Sequence, residues 1–290
     1  MNTQILHDAF IVFMGILIEA TPFVLLGVLI SALLKRFLKT ETLLKWIPKN
    51  RVFSVAMAST LGFFLPVCEC GNIPVARRLL SKGAPLSFVV SFLLSAPVFN
   101  PIVIISTMVA FPNQPWMLAL RVGFTLCIAM SVGLIFSLEK NASSLLSRGA
   151  LPKQTHGAHS FEKTLIHEFF EMTGVLILGA FIASLFQIIL PRELLLNLGQ
   201  GPLISILAMM FLAILVCICS NVDAFFALSY TNTFTTGSIL AFLVLGPMID
   251  LKMWFMLRSI LNTKAIVWMS ILVISMTTFL TLFVNIFTFL

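Results

Sequence analysis

Long apolar runs separated by short basic stretches set the pattern of this chain. Each run is poor in charge and near or above the ~20 residues that cross ~30 Å of hydrocarbon. The clearest runs are Ala9–Leu34, Leu86–Phe111, Leu203–Cys219 and Ala265–Leu290. The first run has no basic region before it and no small-residue cleavage site before Lys35, so we interpret it as a retained helix, not a signal peptide. The pattern predicts a multi-pass, all-α integral membrane protein.

Basic clusters predict how the first half threads the membrane. One cluster follows the first apolar run, beginning at Lys35, and another contains Arg77, Arg78 and Lys82. The positive-inside bias places both in the cytoplasm and the N-terminus outside. A single crossing between them would put one cluster on the wrong side. We therefore predict a re-entrant hairpin that enters from the cytoplasm, turns around Pro66–Pro74 and returns.

The second half then starts from the opposite side. Segment 84–111 runs outward and 116–138 returns, so the basic linker 139–163 is cytoplasmic. The second hairpin enters from outside, and Lys252, Arg258 and Lys264 end up inside. The expected fold has about six spanning helices plus two re-entrant hairpins, arranged as inverted structural repeats. The alternative is eight spanning helices with a parallel repeat.

Internal similarity supports the division into halves 1–138 and 164–290, joined by the linker 139–163. At an offset of about 150 residues, three landmarks recur in the same order. Glu19, Thr21 and Gly27 match Glu171, Thr173 and Gly179; Cys68, Cys70 and Asn72 match Cys217, Cys219 and Asn221; Pro97 and Asn100 match Pro247 and Asp250. These residue types are uncommon in apolar segments, so chance is the weaker explanation.

Composition and charge narrow the function. The chain is 59% hydrophobic and 10% charged, with mean hydropathy +1.08, far from the averages of soluble domains. The net charge of +7 comes from short loops between apolar runs, so topology explains it and we expect no nucleic-acid partner. We expect location in the inner (cytoplasmic) membrane. Five cysteines, four of them in two Cys-x-Cys pairs, do not form the pattern of a secreted disulfide scaffold.

The two Cys-x-Cys elements are the candidate binding site. Two prolines and a glycine deny the first element a regular helix, and irregular backbone inside a membrane is tolerated where it lines a cavity or is buried in protein. Thiolates are soft ligands for thiophilic centres. If the hairpins meet at the midplane, they present up to four sulfurs, which would also be the ligands of a metal cargo. The set is Cys68, Cys70, Cys217 and Cys219, with Asn72 and Asn221 nearby. Packing is the alternative role, and for Cys127 it is the preferred one.

Carboxylates inside apolar segments are functional candidates because insertion costs at least ~2.5–3.5 kcal/mol each. Glu69, Asp223, Asp250 and Glu19 are therefore candidates for proton or ion coupling. Proline breaks near Asn100 and Asp250 free backbone groups that could contact an ion or substrate. A kink that serves packing alone is the other interpretation of these breaks.

The stretch Cys68–Leu79, followed by Lys82–Pro85 and Ser95–Pro101, resembles the YraQ/ArsP-type permease family. The resemblance covers nearly the whole chain. It implies a permease, and the members characterised as ArsP imply efflux of trivalent organoarsenicals. This chain departs from the arsenical-exporting pattern at Glu69, which stands where a small residue is expected.

Two function classes follow from these residues. The first is a secondary transporter that exports a soft thiol-seeking solute, since no Walker A pattern is visible. Its expected partners are the lipid bilayer, that solute or a metal or metalloid species, and a second copy or an accessory membrane subunit; no cofactor is expected. The second class is an intramembrane thiol–disulfide oxidoreductase that uses the same cysteine pairs. The duplication favours transport.

Overall fold

The computed structural model describes residues 2–37, 40–65, 67–139, 142–147, 161–189 and 201–288. Within these ranges the regular elements are helices, and one isolated β-bridge joins Leu146 to Leu261. Pro66 and most of the predicted linker lie outside the described residues. The helices are α1 Asn2–Phe37, α2 Thr40–Trp46, α3 Arg51–Thr60 with a 3-10 turn Leu61–Phe64, α4 Glu69–Ser81, α5 Leu86–Ser95, α6 Pro101–Ala110, α7 Pro115–Leu138, α8 Ala142–Leu145, α9 Phe161–Ile189, α10 Pro202–Val216, α11 Asp223–Leu228, α12 Thr236–Met248, α13 Leu251–Leu257 and α14 Thr263–Thr288.

Five stretches of the described chain are long and apolar enough to cross a membrane. They are His7–Phe37, Pro115–Leu138, Leu165–Leu185, Thr236–Leu257 and Thr263–Phe287. The sixth predicted span, 84–111, is present as two shorter helices, α5 and α6. The prediction of an all-α membrane protein is confirmed.

Two apolar segments are interrupted at the matched positions Asn100 and Asp250, as the internal repeat predicted. Asn100 ends the first break and caps α6, because its side-chain oxygen accepts a hydrogen bond from the Ile102 N–H at 3.0 Å. Pro101 follows at the first helical position, where its missing N–H costs nothing. Asp250 caps α13 in the same manner by accepting from the Met253 N–H. The side chains at the two matched positions thus both cap the start of a helix.

Helices α1 and α9, which open the two halves, run antiparallel. The ring centroids of Phe13 and Phe181 lie 6.2 Å apart near one end of the pair. Near the other end, the Ser31 hydroxyl donates to Glu168 at 2.9 Å. Equivalent helices that run in opposite directions fit inverted halves and not the parallel repeat of the eight-span alternative.

The first hairpin enters and leaves at one face. Helix α3 begins shortly after α1 ends, and Arg78 near the end of α4 contacts both Ser31 on α1 and Glu168 on α9. This face also holds the end of α7, since Gly133 packs against Ser87 near the start of α5. We call it the linker face, because the linker follows α7.

The second hairpin belongs to the opposite face. At the start of α10, the Ser205 hydroxyl lies 2.7 Å from the Ser238 hydroxyl at the start of α12. The neighbouring Gly237 N–H donates to Asn285 near the end of α14, at 2.8 Å. Helix α14 itself starts at the linker face, where Asn262 donates to the carbonyl of Ser144. The two hairpins therefore insert from opposite sides, as the charge pattern predicted.

Glycines permit the close helix crossings beside the breaks. A Cβ atom on Gly27 of α1 would lie 2.1 Å from the backbone oxygen of Gly71 on α4. A Cβ on the matched Gly179 of α9 would lie 3.4 Å from the Cα of Lys252 on α13. The approach at Gly27 thus requires glycine, whereas the distance at Gly179 is an ordinary van der Waals contact.

A Gly27→Ala variant is expected to lose about 1–3 kcal/mol of folding free energy, because the new methyl group must push α4 away from α1. Thermal unfolding in detergent would measure the loss. Gly15→Ala on the same helix is the matched control, since a Cβ there has no atom within 4 Å among the described residues. Equal stability of the two variants would contradict the close crossing.

Candidate functional site

The prediction that the first Cys-x-Cys element is non-helical throughout is wrong, because α4 begins at Glu69 and includes Gly71 and Pro74. The irregular backbone lies just before α4, where two asparagine side chains converge on one backbone carbonyl. The carbonyl oxygen of Val67 accepts from the side-chain amides of Asn72 at 3.5 Å and Asn100 at 3.4 Å. A buried carbonyl outside a helix needs such partners. The sequence named both asparagines as substrate contacts, and the structure also gives them this role in holding the break.

The second Cys-x-Cys element begins with a turn at Cys217. This residue ends α10 with φ +50°, a left-handed conformation that is uncommon for a residue other than glycine. Its thiol donates to the Ile214 carbonyl at 3.4 Å and packs among apolar side chains of α1 and α9, including Ile16 and Ala180. Cys217 therefore belongs to a second apolar cluster, and its sulfur is also within reach of Asp250 and of the backbone of Lys252.

The remaining paired cysteines meet beside a carboxylate. The sulfurs of Cys68 and Cys219 and a carboxylate oxygen of Glu69 all lie within 4.8 Å of one another, and all three residues are buried. The Cys219 thiol faces Glu69 Oε2 at 3.9 Å, and the Cys68 thiol is in hydrogen-bonding contact with both Cys70 and Cys219. These thiols are free, not disulfide-bonded. We call Cys68, Glu69, Cys70 and Cys219 the thiol site.

Lys252 is the cation of the thiol site. Its Nζ lies 2.9 Å from Glu69 Oε1 and 3.6 Å from Asp250 Oδ2, and the residue is 2% exposed. The sequence interpretation that placed Lys252 in a basic loop is wrong. Because α13 starts at the buried break, its second residue lies in the interior, and Arg258 is the first basic residue beyond the end of α13.

A second buried ion pair joins Arg121 of α7 to Asp223 of α11. Arg121 Nη2 lies 2.5 Å from Asp223 Oδ2, and Nη1 donates to the Thr107 hydroxyl at 2.7 Å. Arg121 is fully buried. Sequence reasoning named Asp223 but missed Arg121, although it is the one charged residue within the apolar helix Pro115–Leu138, which is by itself a signal of function.

Two further ion pairs lie at the linker face. Arg77 of α4 pairs with Glu171 of α9 at 2.9 Å, and Arg78 pairs with Glu168 one turn away. The Arg78 Nε also donates to Ser31 of α1 at 3.3 Å. We call these contacts the linker-face pairs. They hold α4 of the first half against α9 of the second, on the linker side of the thiol site.

The other predicted site residues lie nearby or at the edge. Glu19 on α1 is half-buried and within electrostatic reach of Lys252 and Glu69. Asn221 is half-buried, and its Oδ1 has no hydrogen-bond partner among the described residues. Cys127, expected to pack, is instead exposed on α7.

The two interior ion pairs both cross between halves. Glu69 begins α4 in the first half and pairs with Lys252 of the second, whereas Asp223 begins α11 in the second half and pairs with Arg121 of the first. A buried charge is tolerated only when it is paired and hydrogen-bonded. The geometry therefore makes the interface of the halves a polar centre inside an apolar protein, with three thiols at its middle.

Comparisons with known proteins show the family of this chain. A family model described as "Predicted permease" (ArsP_1) matches residues 5–286. UPF0718 protein YcgR of Bacillus subtilis is 41% identical over 251 residues, 83% of this chain and 84% of that protein. The Streptococcus mutans protein named "Putative two-component membrane permease complex subunit" is 34% identical over 264 residues, 88% of this chain and 87% of that protein. No solved structure matches the chain.

Oppositely inserted halves that enclose a charged, thiol-bearing centre define a multi-pass membrane transport protein. The chain belongs to the ArsP_1 family of predicted permeases. It is accordingly a membrane permease and not an enzyme.

Proposed function

We propose that this permease is a secondary transporter that exports a soft, thiol-seeking solute, such as a trivalent organoarsenical or a metal or metalloid species. The observation that carries the proposal is the buried grouping of Cys68, Glu69 and Cys219, whose ligand atoms lie within 4.8 Å of one another. Sulfur donors prefer soft, thiophilic centres. The burial of all three residues places these donors in the protein interior and not at its surface.

The position of the thiol site supports transport across the membrane. It lies between the linker-face pairs and the Arg121–Asp223 pair. The second of these pairs is at the start of α11, which belongs to the hairpin of the opposite face. Alternating access requires a central site that can be closed from either side. We propose that these ion pairs between the halves close the site on its two sides.

Carboxylates around the site are proposed to couple cargo movement to protons or another ion. Glu69, Asp250 and Asp223 are buried, and Glu19 is half-buried beside them. We further propose that the N-terminus is outside and the 139–163 linker cytoplasmic in the inner membrane, with domains 1–138 and 164–290. An accessory subunit or a second copy is a proposed partner, since the Streptococcus relative is named as a complex subunit.

Survival of a sensitive host tests the cargo proposal. Cells that express the intact chain are expected to tolerate phenylarsine oxide, arsenite, antimonite or a soft transition metal better than cells without it. Cys68→Ser and Cys219→Ser should remove at least about tenfold of that tolerance, because a hydroxyl is a poor ligand for soft centres. Cys127→Ser is the control, since Cys127 is exposed on α7. Full tolerance in both site variants at equal expression would end the proposal.

A further inference from the structure

Lys252 holds Glu69, the carboxylate that lies within ligand distance of the Cys68 and Cys219 sulfurs in the part of the chain that the structure describes. Its ammonium lies 2.9 Å from Glu69 Oε1, while Glu69 Oε2 faces the Cys219 sulfur at 3.9 Å. The carboxylate is thus shared between an ammonium and a thiol. Its negative charge is balanced by a cation that belongs to the protein.

Free soft cations and trivalent organoarsenicals make different demands on this site. Cations of the zinc class take four ligands, of which open sites supply three from protein. Cys68 and Cys219 with Glu69 form such a set of three, but coordination by Glu69 would compete with Lys252. Cys70 contacts Cys68 and is the other sulfur within reach.

An organoarsenical with one carbon substituent needs only two sulfurs. In its dihydroxy form, two As–S bonds form as two As–O bonds break, and the two thiol protons leave with the hydroxides as two waters. Arsenic stays trivalent, and the charge of the site does not change. Cd²⁺, by contrast, displaces the thiol protons to solvent and benefits from a carboxylate ligand that it would have to take from an ammonium.

We infer that Lys252 is a specificity-determining residue: a tethered cation that holds Glu69 and so favours electroneutral thiol-reactive cargo over free soft metal cations. The inference rests on the proposed function of the thiol site. It assigns to Lys252 a role that neither the repeat nor the paired cysteines indicated.

The surroundings of Glu69 support this role. Besides Lys252, the groups in electrostatic reach of Glu69 are Asp250 from the break before α13, Glu19 from α1 and Asp223 from α11. All three carry carboxylates. Removing the ammonium would therefore leave the Glu69 carboxylate beside the sulfurs without its cation and with further carboxylates in electrostatic reach, which favours binding of a cation.

Binding to the purified full-length chain in detergent tests the inference, with CdCl₂ and phenylarsine oxide as probes. Cd²⁺ binding is followed by its sulfur-to-cadmium charge-transfer absorption, and phenylarsine oxide binding by protection of thiols from alkylation, counted by mass spectrometry. Lys252→Met is expected to bind Cd²⁺ about tenfold more tightly than the natural chain. Affinity for phenylarsine oxide should stay within about threefold, and Lys252→Arg should match the natural chain for both probes.

A double variant guards against misfolding and separates competition from net charge. Asp250→Asn/Lys252→Met removes one charge of each sign, so the net charge of the centre is kept while Glu69 is released. It is expected to show the same gain in Cd²⁺ affinity as Lys252→Met. A gain in the single variant alone would overturn the competition for Glu69, because net charge would then explain it.

The remaining outcomes distinguish the two proposals. One outcome is that the natural chain binds both probes and that neither Lys252→Met nor Asp250→Asn/Lys252→Met changes the Cd²⁺ affinity. The role of Lys252 is then overturned and the thiol site stands. If neither probe binds to the natural chain or to any variant, the proposed thiol cargo site fails, and the role of Lys252 fails with it.

Discussion

An Arg121→Met variant is expected to lose about 3–5 kcal/mol of folding free energy, because it breaks a buried ion pair by removing one partner. The physical reason is that Asp223 is buried and its ion pair with Arg121, at 2.5 Å, is its source of compensating charge. The neighbouring carboxylate of Glu69 would repel an unpaired Asp223 and so add to the free-energy cost. The yield of monodisperse protein and its thermal midpoint in detergent would measure the loss.

The matched control for this effect removes both charges. Arg121→Met/Asp223→Leu is expected to recover most of the lost stability, since replacing a buried ion pair by apolar side chains is often neutral or stabilising. A double variant as unstable as Arg121→Met would show that packing around Arg121, and not its charge, is what the fold requires. Because Asp223 is a proposed coupling carboxylate, a stable double variant also separates transport from folding.

A Glu168→Gln/Glu171→Gln variant is expected to raise the alkylation rate of the thiol site about tenfold. These carboxylates pair with Arg78 and Arg77, and through them α4 is held against α9. Weakening local contacts raises the population of open states, and ~1.4 kcal/mol of lost interaction corresponds to a factor of ten. The measurement is the rate at which N-ethylmaleimide modifies Cys68 and Cys219, read by mass spectrometry.

Two choices make this labelling experiment specific. The background is Cys127→Ser, so that modification of the exposed Cys127 does not add to the measured labelling. Glu41→Gln is the control, since it removes an exposed carboxylate on α2, the helix that follows α1. An unchanged rate in the Glu168→Gln/Glu171→Gln variant would show that the linker-face pairs do not keep the site closed.

The helical architecture and the breaks could be predicted from the sequence because local rules determine them. Long apolar runs have few structural options in a membrane. Proline at 101 and an oxygen-bearing side chain at 100 or 250 mark a helix start irrespective of what lies around them. The insertion of the two hairpins from opposite sides also followed, since basic clusters flank the first hairpin and the second half then starts from the other side.

The partners in the centre could not be predicted in the same way. Lys252 and Glu69 are 183 positions apart, and Arg121 and Asp223 are 102 apart, so only the packing of the two halves brings them together. The charge bias assigns Lys252, which follows a helix break, to a loop, because it does not show how deep the break lies. The expectation of four sulfurs at one point assumed that matched cysteines have matched surroundings, but Cys217 turns in a left-handed conformation and faces α1 and α9.

The crossing of the two interior ion pairs makes the two halves depend on each other. Each half carries one acid and one base whose complements lie in the other half, and the two bases occupy non-equivalent helices, α7 and α13. Two copies of the first half would leave Glu69 without its lysine, and two copies of the second would leave Asp223 without its arginine. Each half therefore supplies a charge that the other requires, and a duplicate of either half would not supply it.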